Sequence, residues 1–348
     1  MKIALDVLGG DNAPLSTIEG AFLYLDEQGD LAAELILLGD KKEIESTIQD
    51  LSRDKSDIII HHTKEKVGMN ERSSRIFREK PDSSLVKSIQ LVRDGVAQAA
   101  VSAGNTGALL ASSLFLIGKI PGIRRPAFAP FIPTNKGGFI LCDAGANVDT
   151  KPQHLVQFAL MAIAYMEHLA NRQDPRVALL NIGSEENKGN ELTINAYPLL
   201  KKHIHNFIGN IESRYLFEGK ADIVICDGFT GNIVLKLSEG IIAHIIGWIQ
   251  ERVGVYVPNK DASSIFQPVF DDIAATLDHE EHGATPLLGI NGVVMKCHGS
   301  STEKGIKNSL IAAQKTVEED LIEDIATILS KHTDIFDEDT KISEANPV

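Results

Sequence analysis

Short apolar runs alternate along the chain with segments of helical periodicity, and most of these runs end in small or polar residues. Strands that end in polar turns and lead into helices are typical of a parallel sheet with its functional loops at the carboxyl ends of the strands. The pattern therefore predicts an α/β fold, a mostly parallel sheet flanked by helices. The predicted strands are residues 2–8, 34–38, 57–61, 99–102, 139–142, 177–181 and 223–225.

The C-terminal third has a different pattern. Residues 241–257 are apolar on nearly every side, and residues 265–277 continue with near-helical apolar spacing. Such a stripe is typical of a core or of a dimer contact. Membrane contact is an alternative that Asp271 and Asp272 disfavour, because their charges would repel anionic headgroups.

The end of the chain completes the predicted fold. We expect a strand over residues 289–296, a closing helix after Glu303, and a disordered acidic tail. Residues 1–332 are expected to form one αβα unit, either undivided or built from two interleaved subdomains. The tail is assigned to residues 333–348.

Composition narrows the class of protein. The net charge of −14 over 348 residues argues against nucleic-acid binding and against a general affinity for anionic membranes. Three cysteines without metal or redox spacing fit a reducing compartment. The N-terminus has no leader pattern, and no apolar run approaches the roughly 18 residues of a membrane span. We expect a cytoplasmic protein with at most peripheral membrane contact.

Residues 63–84 are locally basic within this acidic chain. The segment has little apolar periodicity. It carries Lys64, Lys66, Arg72, Arg75, Arg78 and Lys80 against Glu65, Glu71 and Glu79. Two interpretations stay open: a solvated helix face with alternating charge, or a docking surface for an acidic partner.

Two strand-ending turns share nearly the same sequence, GNTG at 104–107 and GFTG at 228–231. Each lies before a helix, so its free backbone N–H groups are expected to attract anions. Asn105, Thr106 and Asn232 would add uncharged donors for a phosphate or an oxyanion. The alternative is that the glycines only relieve crowding in ordinary β–α turns. Together the turns suggest a two-part anionic ligand.

Other chemistry is sparse. His298 could transfer protons near neutral pH, although a structural histidine is the simpler interpretation. Cys297 beside it suggests a thiolate nucleophile, but a small residue at a strand end more often packs in the core. No GxGxxG or GxxxxGK[ST] motif supports a nucleotide site. We expect no metal and no cofactor.

Seven blocks carry a family resemblance. They are MKIALDVLGGDNAP, VSAGNTGALLA, RPAFAPFIPT, CDAGANVD, NIGSEENKGNEL, DGFTGNIVLKLSEG and LLGINGVVMKCHGSS. In this order they resemble the bacterial phosphate acyltransferases of phospholipid synthesis over nearly the whole chain. A weaker likeness of GNIVLKL and INGV to phosphotransacetylases implies the phosphotransacetylase/isocitrate-dehydrogenase-like fold and a homodimer. Asn12, where the family often has His, and Cys297, where a small non-thiol residue is usual, are departures.

The resemblance implies a reaction and its partners. A fatty acyl group would pass from acyl-[acyl-carrier-protein] to inorganic phosphate, and a membrane glycerol-3-phosphate acyltransferase would consume the acyl phosphate. We expect direct attack of phosphate on the thioester, with the protein positioning phosphate and stabilising the oxyanion. The expected catalytic residues are Asn232, Thr230, His298 and Asp227. The expected substrate-binding residues are Asn105, Thr106, Gly107, Gly231, Lys236, Lys188 and Arg124.

Several alternatives remain at this stage. Asp227 either caps its turn, which is the more common role, or acts as a base. A phosphotransacetylase-like enzyme would use acyl-CoA, and the basic residues 63–84 favour a carrier protein over it. A non-catalytic phosphate or acyl-phosphate sensor would release no thiol, and a dehydrogenase of a related fold would change NAD absorbance.

Overall fold

A computed structural model describes residues 1–54, 58–72, 74–170, 172–257, 266–332 and 335. Some predictions lie outside these ranges. They concern residue 57, residue 265 at the start of the second apolar stripe, and the tail apart from Ile335. The strands are β1 Lys2–Asp6, β2 Glu34–Gly39, β3 Ile58–His62, β4 Ala99–Ser102, β5 Ala127–Phe128, β6 Phe131–Ile132, β7 Phe139–Cys142, β8 Val177–Asn181, β9 Phe207–Glu212, β10 Ile223–Ile225, β11 Thr285–Leu288 and β12 Val293–Lys296.

The helices follow most of the strands along the chain. They are α1 Leu15–Gln28, α2 Lys41–Asp50, α3 Ile76–Glu79, α4 Ser84–Arg93, α5 Thr106–Ser112, α6 Pro152–Ala170, α7 Glu191–His203, α8 Gly228–Tyr256, α9 Gln267–Leu277, α10 Glu303–Glu318 and α11 Leu321–Ser330. Helix α5 continues directly into a π-helical turn at Ser113–Ile117.

The first sheet has the order β3-β2-β1-β4-β12-β11-β5. Its strands from β3 to β12 run parallel, whereas β11 runs antiparallel to both of its neighbours. In this register Ser102 lies opposite Asp6 on one side and Lys296 on the other. These three polar side chains therefore form a row at the carboxyl edge of the sheet.

The second sheet has the order β6-β7-β10-β8-β9, and only β6 is antiparallel. Strand β7 is buried along its whole length, and so is β10. Strands covered on both faces read as continuous apolar runs, which explains why the sequence pattern locates them correctly. The predicted α/β fold with mostly parallel strands is confirmed.

The chain interleaves the two sheets. Only residues 129 and 130 separate β5 in the first sheet from β6 in the second. After β7 to β10 the chain returns to the first sheet with β11 and β12. This path supports the expected unit of residues 1–332 with interleaved subdomains, which stays a prediction.

The strand predicted over residues 289–296 is confirmed over residues 293–296 and wrong over residues 289–292. The structure has an antiparallel pair, β11 and β12, joined by a turn at residues 289–292. Gly289 in this turn has a φ of 87°, a left-handed conformation that residues with a side chain rarely adopt. The apolar residues on both sides of the turn concealed the reversal.

Helix α8 is the longest helix of the described residues. Gly228 and Gly231 in its first turn are buried, but most of its length is exposed, including Trp248 at 55%. By length and composition alone it could cross a membrane, which the search for uninterrupted apolar runs did not anticipate. Helix α9 packs against it.

Candidate active site

The carboxyl ends of both sheets border one cleft of about 530 Å³, which we call the main cleft. Asp11 follows β1, Thr106 follows β4, and Lys296 ends β12 on the side of the first sheet. Gly145 follows β7 and Asn232 follows β10 on the side of the second sheet. A cleft outside the carboxyl ends of parallel strands is where α/β folds bind ligands.

Thr106 and Gly107 of the GNTG turn line this cleft. Their N–H groups have no protein acceptor in the part of the chain that the structure describes. The preceding Asn105 caps α5 instead, because its Oδ1 accepts a 2.9 Å hydrogen bond from the Ala108 N–H. Its Nδ2 donates to the carbonyls of residues 68, 69 and 71, so this amide holds a loop in place.

Lys296 is the cation that the sequence analysis missed. Its side chain lines the cleft with only 9% exposure, and its Nζ donates to the Cys297 carbonyl. Burial lowers the pKa of Lys296, while Cys297, Asp6 and Asp11 oppose this change by favouring the charged form. A buried ammonium without a paired carboxylate is costly unless an anion completes the site.

Asp6 lies behind Lys296 at the carboxyl edge of the first sheet. It is fully buried, and burial raises its pKa although a 2.6 Å hydrogen bond from the Ser102 hydroxyl acts in the opposite direction. Among the residues that the structure describes, its Oδ1 has no hydrogen-bond partner. The sequence contained a signal for both residues, namely a lone charged residue at the carboxyl end of an apolar strand.

Helix α8 divides its polar residues between two clefts. Asn232, Leu235, Lys236 and Glu239 lie on one face of the helix and line the main cleft. Asp227, Thr230 and Val234 line a second cleft of about 480 Å³ on the other side. The GFTG turn therefore does not present all of its predicted residues to one ligand.

The first turn of α8 is largely satisfied within the protein. The Thr230 N–H donates to Asp227 Oδ1 at 2.8 Å, and the Thr230 hydroxyl donates to Asp227 Oδ2 at 2.7 Å. The Gly228 N–H donates to the Asn147 carbonyl at 2.8 Å. Asp227 thus caps the helix as the more common interpretation predicted. The prediction that this turn leaves its backbone N–H groups free is wrong for Gly228 and Thr230.

Gly228 and Gly231 are needed for a close approach to the neighbouring turn after β7. A methyl group on Gly231 would overlap the Asp143 carbonyl oxygen, and one on Gly228 would lie 2.6 Å from the Asn147 carbonyl. The Asp143 carboxylate organises that turn by accepting hydrogen bonds from four backbone N–H groups and the Asn147 amide. These glycines relieve crowding, as the simpler interpretation of the turn supposed.

His298 lies at the exposed rim of the cleft, with Cys297 buried behind it. The Ser300 N–H can only donate, and it lies 3.2 Å from His298 Nδ1, so the proton of the neutral imidazole is assigned to Nε2. Burial raises the pKa of the Cys297 thiol to about 11, and the thiol lies 3.2 Å from the Ser309 hydroxyl. A thiol held protonated in this way is a poor nucleophile.

The remaining candidates lie away from the main cleft. Lys188 accepts a hydrogen bond from Asn181 through its carbonyl, in the loop before α7. Arg124 lies beside a different cavity, where its N–H donates to Gln157 at 2.9 Å. In the described ranges no group of three or more His, Cys, Asp or Glu side chains could hold a metal ion. The structure thus brings together Thr106, Gly107, Asn232, Lys236 and His298.

Two mostly parallel sheets with a cation-bearing cleft at their carboxyl edges form an architecture typical of α/β enzymes. Comparison with known proteins gives the family. The model of the family described as "Fatty acid synthesis protein" matches residues 1–324. The chain is 45% identical to the phosphate acyltransferase of Desulforamulus reducens over 92% of this chain and 95% of that protein. It is 43% identical to the phosphate acyltransferase of Dictyoglomus thermophilum, over 96% and 99% of the two chains.

Solved structures share the fold at low sequence identity. A phosphotransacetylase from Streptococcus pyogenes superposes with a TM-score of 0.62 at 17% identity, covering 92% of this chain and 94% of that one. A branched-chain phosphotransacylase from Enterococcus faecalis gives 0.57 at 14% identity, covering 91% and 99%. The chain belongs to the phosphate acyltransferase family of fatty acid synthesis proteins and is an acyltransferase enzyme.

Proposed function

We propose that this enzyme transfers a fatty acyl group from acyl-[acyl-carrier-protein] to inorganic phosphate and so forms acyl phosphate for phospholipid synthesis. Family membership supports the acyl transfer to phosphate. The observation that carries the assignment to this cleft is the buried Lys296 ammonium, which shares the cleft with the free N–H groups of Thr106 and Gly107. Together they offer one positive charge and two backbone donors to a phosphate.

The proposed reaction is a direct displacement. A phosphate oxygen attacks the thioester carbonyl carbon, a C–O bond forms, and the negative charge moves to the carbonyl oxygen. When this intermediate collapses, the C–S bond breaks and the sulfur leaves with the bonding electrons. Phosphate is already nucleophilic near neutral pH, so positioning and charge stabilisation supply most of the rate enhancement.

Each side chain of the cleft has a role in this proposal. Lys296 and Lys236 neutralise the phosphate, and the Asn232 amide donates to the oxyanion. His298, protonated on Nε2, gives its proton to the departing thiolate. Thr230 and Asp227, assigned as catalytic from the sequence, contribute by fixing the start of α8. The proposed role of Asn105 is to fix the start of α5.

The direct test is phosphorolysis of a long-chain acyl carrier protein, followed by thiol release and by trapping of acyl phosphate with hydroxylamine. We expect Lys296→Met to lower kcat/KM for phosphate by about 100-fold or more, because it removes a charge aimed at the reacting anion. Lys188→Met removes the same charge outside the main cleft and serves as the control. Wild-type rates in Lys296→Met, Asn232→Ala and His298→Ala together would show that the reaction occurs elsewhere.

The nearest alternative is an enzyme that uses acyl-CoA as the thioester. It is worth testing because the chain shares its fold with a phosphotransacetylase. Acyl-CoA and acyl carrier protein are assayed at equal concentration with equal acyl chains. A higher kcat/KM for acyl-CoA would contradict the proposed substrate. Thioester binding without thiol release would indicate a sensor, and an NAD-dependent absorbance change would indicate a dehydrogenase.

The proposal includes the assembly and the location of the enzyme. A homodimer is supported by the exposed apolar side chains of α8, which in a soluble protein need a partner surface. We assign the enzyme to the cytoplasm, with at most peripheral membrane contact, where its product reaches a membrane glycerol-3-phosphate acyltransferase.

A further inference from the structure

Five exposed cations lie along residues 64–78, a segment that contributes one side chain to the lining of the main cleft. We define the basic rim as Lys64, Lys66, Arg72, Arg75 and Arg78, and all five side chains are exposed. Between them, the Met69 side chain lines the cleft. The Cε of Met69 lies 3.1 Å from the point where a side chain on Gly299 would begin, so the segment reaches across to the loop of His298.

The basic rim is fixed to the cleft by the Asn105 amide. Nδ2 of Asn105 donates to the Met69 carbonyl at 2.7 Å and to the Glu71 carbonyl at 3.2 Å. Asn105 also caps α5, the helix that presents Thr106 and Gly107 to the cleft. The rim and the anion site are therefore held by the two ends of one side chain.

The cations of the basic rim form no ion pairs with the described carboxylates of their own segment, which include the exposed Glu79. Glu71 is held by Lys80 at 2.6 Å, and Glu65 accepts a hydrogen bond from the Asp82 N–H. Among the described residues, no carboxylate lies within 4.0 Å of a rim cation. Five unpaired positive charges on a protein of net charge −14 form a local site for an acidic surface.

An apolar centre adjoins these charges. Phe115 is 64% exposed, and its ring stacks on Phe77 with 4.6 Å between the centroids. The Arg78 guanidinium lies 5.2 Å from the centroid of the Phe77 ring. Exposed aromatic rings beside arginines are the residues that protein-docking surfaces favour.

We propose that the basic rim and Phe115 dock a small acidic carrier domain, so that its thioester arm enters the cleft beside Met69. This inference rests on the proposed function, because the cleft is where the thioester would react. The acidic carrier fits better than an extended polyanion. A bilayer or a nucleic acid would meet the remaining negative charge of the molecule as well as the five cations.

The test compares two substrates that differ only in the presence of the carrier domain. The readout is the ratio of kcat/KM for acyl carrier protein to kcat/KM for acyl-CoA with the same acyl chain. We expect Arg72→Glu and Arg75→Glu each to lower this ratio about three- to tenfold, and added salt to lower it in the wild type. Lys331→Glu, at the C-terminal end of α11, reverses an exposed charge away from the cleft and should keep the wild-type ratio.

Three outcomes would overturn the docking surface. One is an equal ratio in Arg75→Glu and Lys331→Glu, and another is a wild-type ratio that does not respond to salt. The third is loss of binding to phosphatidylglycerol vesicles in Arg75→Glu while the ratio stays unchanged, which would make the occupant a membrane. If no thioester yields acyl phosphate, the proposed function fails separately. Calorimetric titration of carrier protein into the wild type and Arg75→Glu then tests the docking surface without an activity assay.

Discussion

Lys296 is buried and has a lowered pKa because it is the last residue of a buried strand. Burial lowers its pKa, so its positive charge disappears at a lower pH than that of an exposed lysine. In the proposed mechanism, phosphate binding to this charge is complete below the lowered pKa and is lost as the pH rises through it. Burial would then both strengthen the attraction of Lys296 to phosphate and narrow the pH range over which Lys296 is charged.

The pH dependence can be measured directly. We expect kcat/KM for phosphate to fall on the alkaline side at a pH below the ordinary lysine range. Lys296→Arg should move this decline to higher pH, because a guanidinium keeps its proton. The measurement is a pH–rate profile of both enzymes at saturating thioester. An identical alkaline limb in the two profiles would mean that another group titrates.

Gly231 is a second residue of interest, because its surroundings leave no room for a larger side chain. We expect Gly231→Ala to lower the free energy of unfolding by about 3 kcal/mol, because the new methyl group would overlap the Asp143 carbonyl. Gly247 lies in the same helix with open space around it. Gly247→Ala should instead raise stability by about 0.5–1 kcal/mol through helix propensity. Denaturant unfolding of both variants checks the difference, and similar values would contradict the contact.

At the scale of an element, helix phase explains which of the predicted site residues lie together in one cleft. Residues at carboxyl ends of parallel strands were expected to converge, and Thr106, Asn232 and His298 do line one cleft. Each residue turns about 100° around a helix axis, so Thr230 and Asn232 point to different sides of α8. Lys296 was missed because it was counted as part of a strand. No sequence pattern tells whether a turn's N–H groups are already bonded by a distant turn.

Helix α5 and the basic segment are coupled through Asn105, which gives an element-scale prediction. Asn105→Asp keeps an oxygen that can cap α5 but replaces the donor that binds three carbonyls. We expect faster amide hydrogen exchange at residues 68–72, while exchange at the start of α5 stays slow. Thr106→Ser changes the next residue without touching these bonds and serves as the control. Unchanged exchange at residues 68–72 would show that the amide does not hold the segment.

At the scale of the whole molecule, α8 presents an apolar stripe that the described residues leave uncovered. Its exposed members are Phe229, Ile233, Leu237, Ile241, Ile245, Trp248, Ile249, Val255 and Tyr256. Exposed apolar surface of this extent is rare on monomers and marks an interaction site. The sequence left dimer and membrane contact open for residues 241–257, and a second copy is the proposal for this surface.

A charge placed on the stripe should separate the two copies of the proposed homodimer. We expect Ile245→Glu to convert the dimer to a monomer, because a buried carboxylate without a partner is costly at an interface. Gln250→Glu adds the same charge to α8 at a helical position away from the stripe. Sedimentation velocity at micromolar concentration measures both variants. A wild type that sediments as a monomer at this concentration would contradict the dimer.

The return of the chain to its first sheet has a consequence for synthesis on the ribosome. Strand β4 pairs with β12, so one edge of β4 stays unpaired until residue 296 has left the exit tunnel. During that interval an apolar strand edge is open to pairing with other chains, which makes this nascent protein a candidate for chaperone binding. Because Lys296 arrives with β12, the enzyme also gains its buried cation only when about five-sixths of the chain has been made.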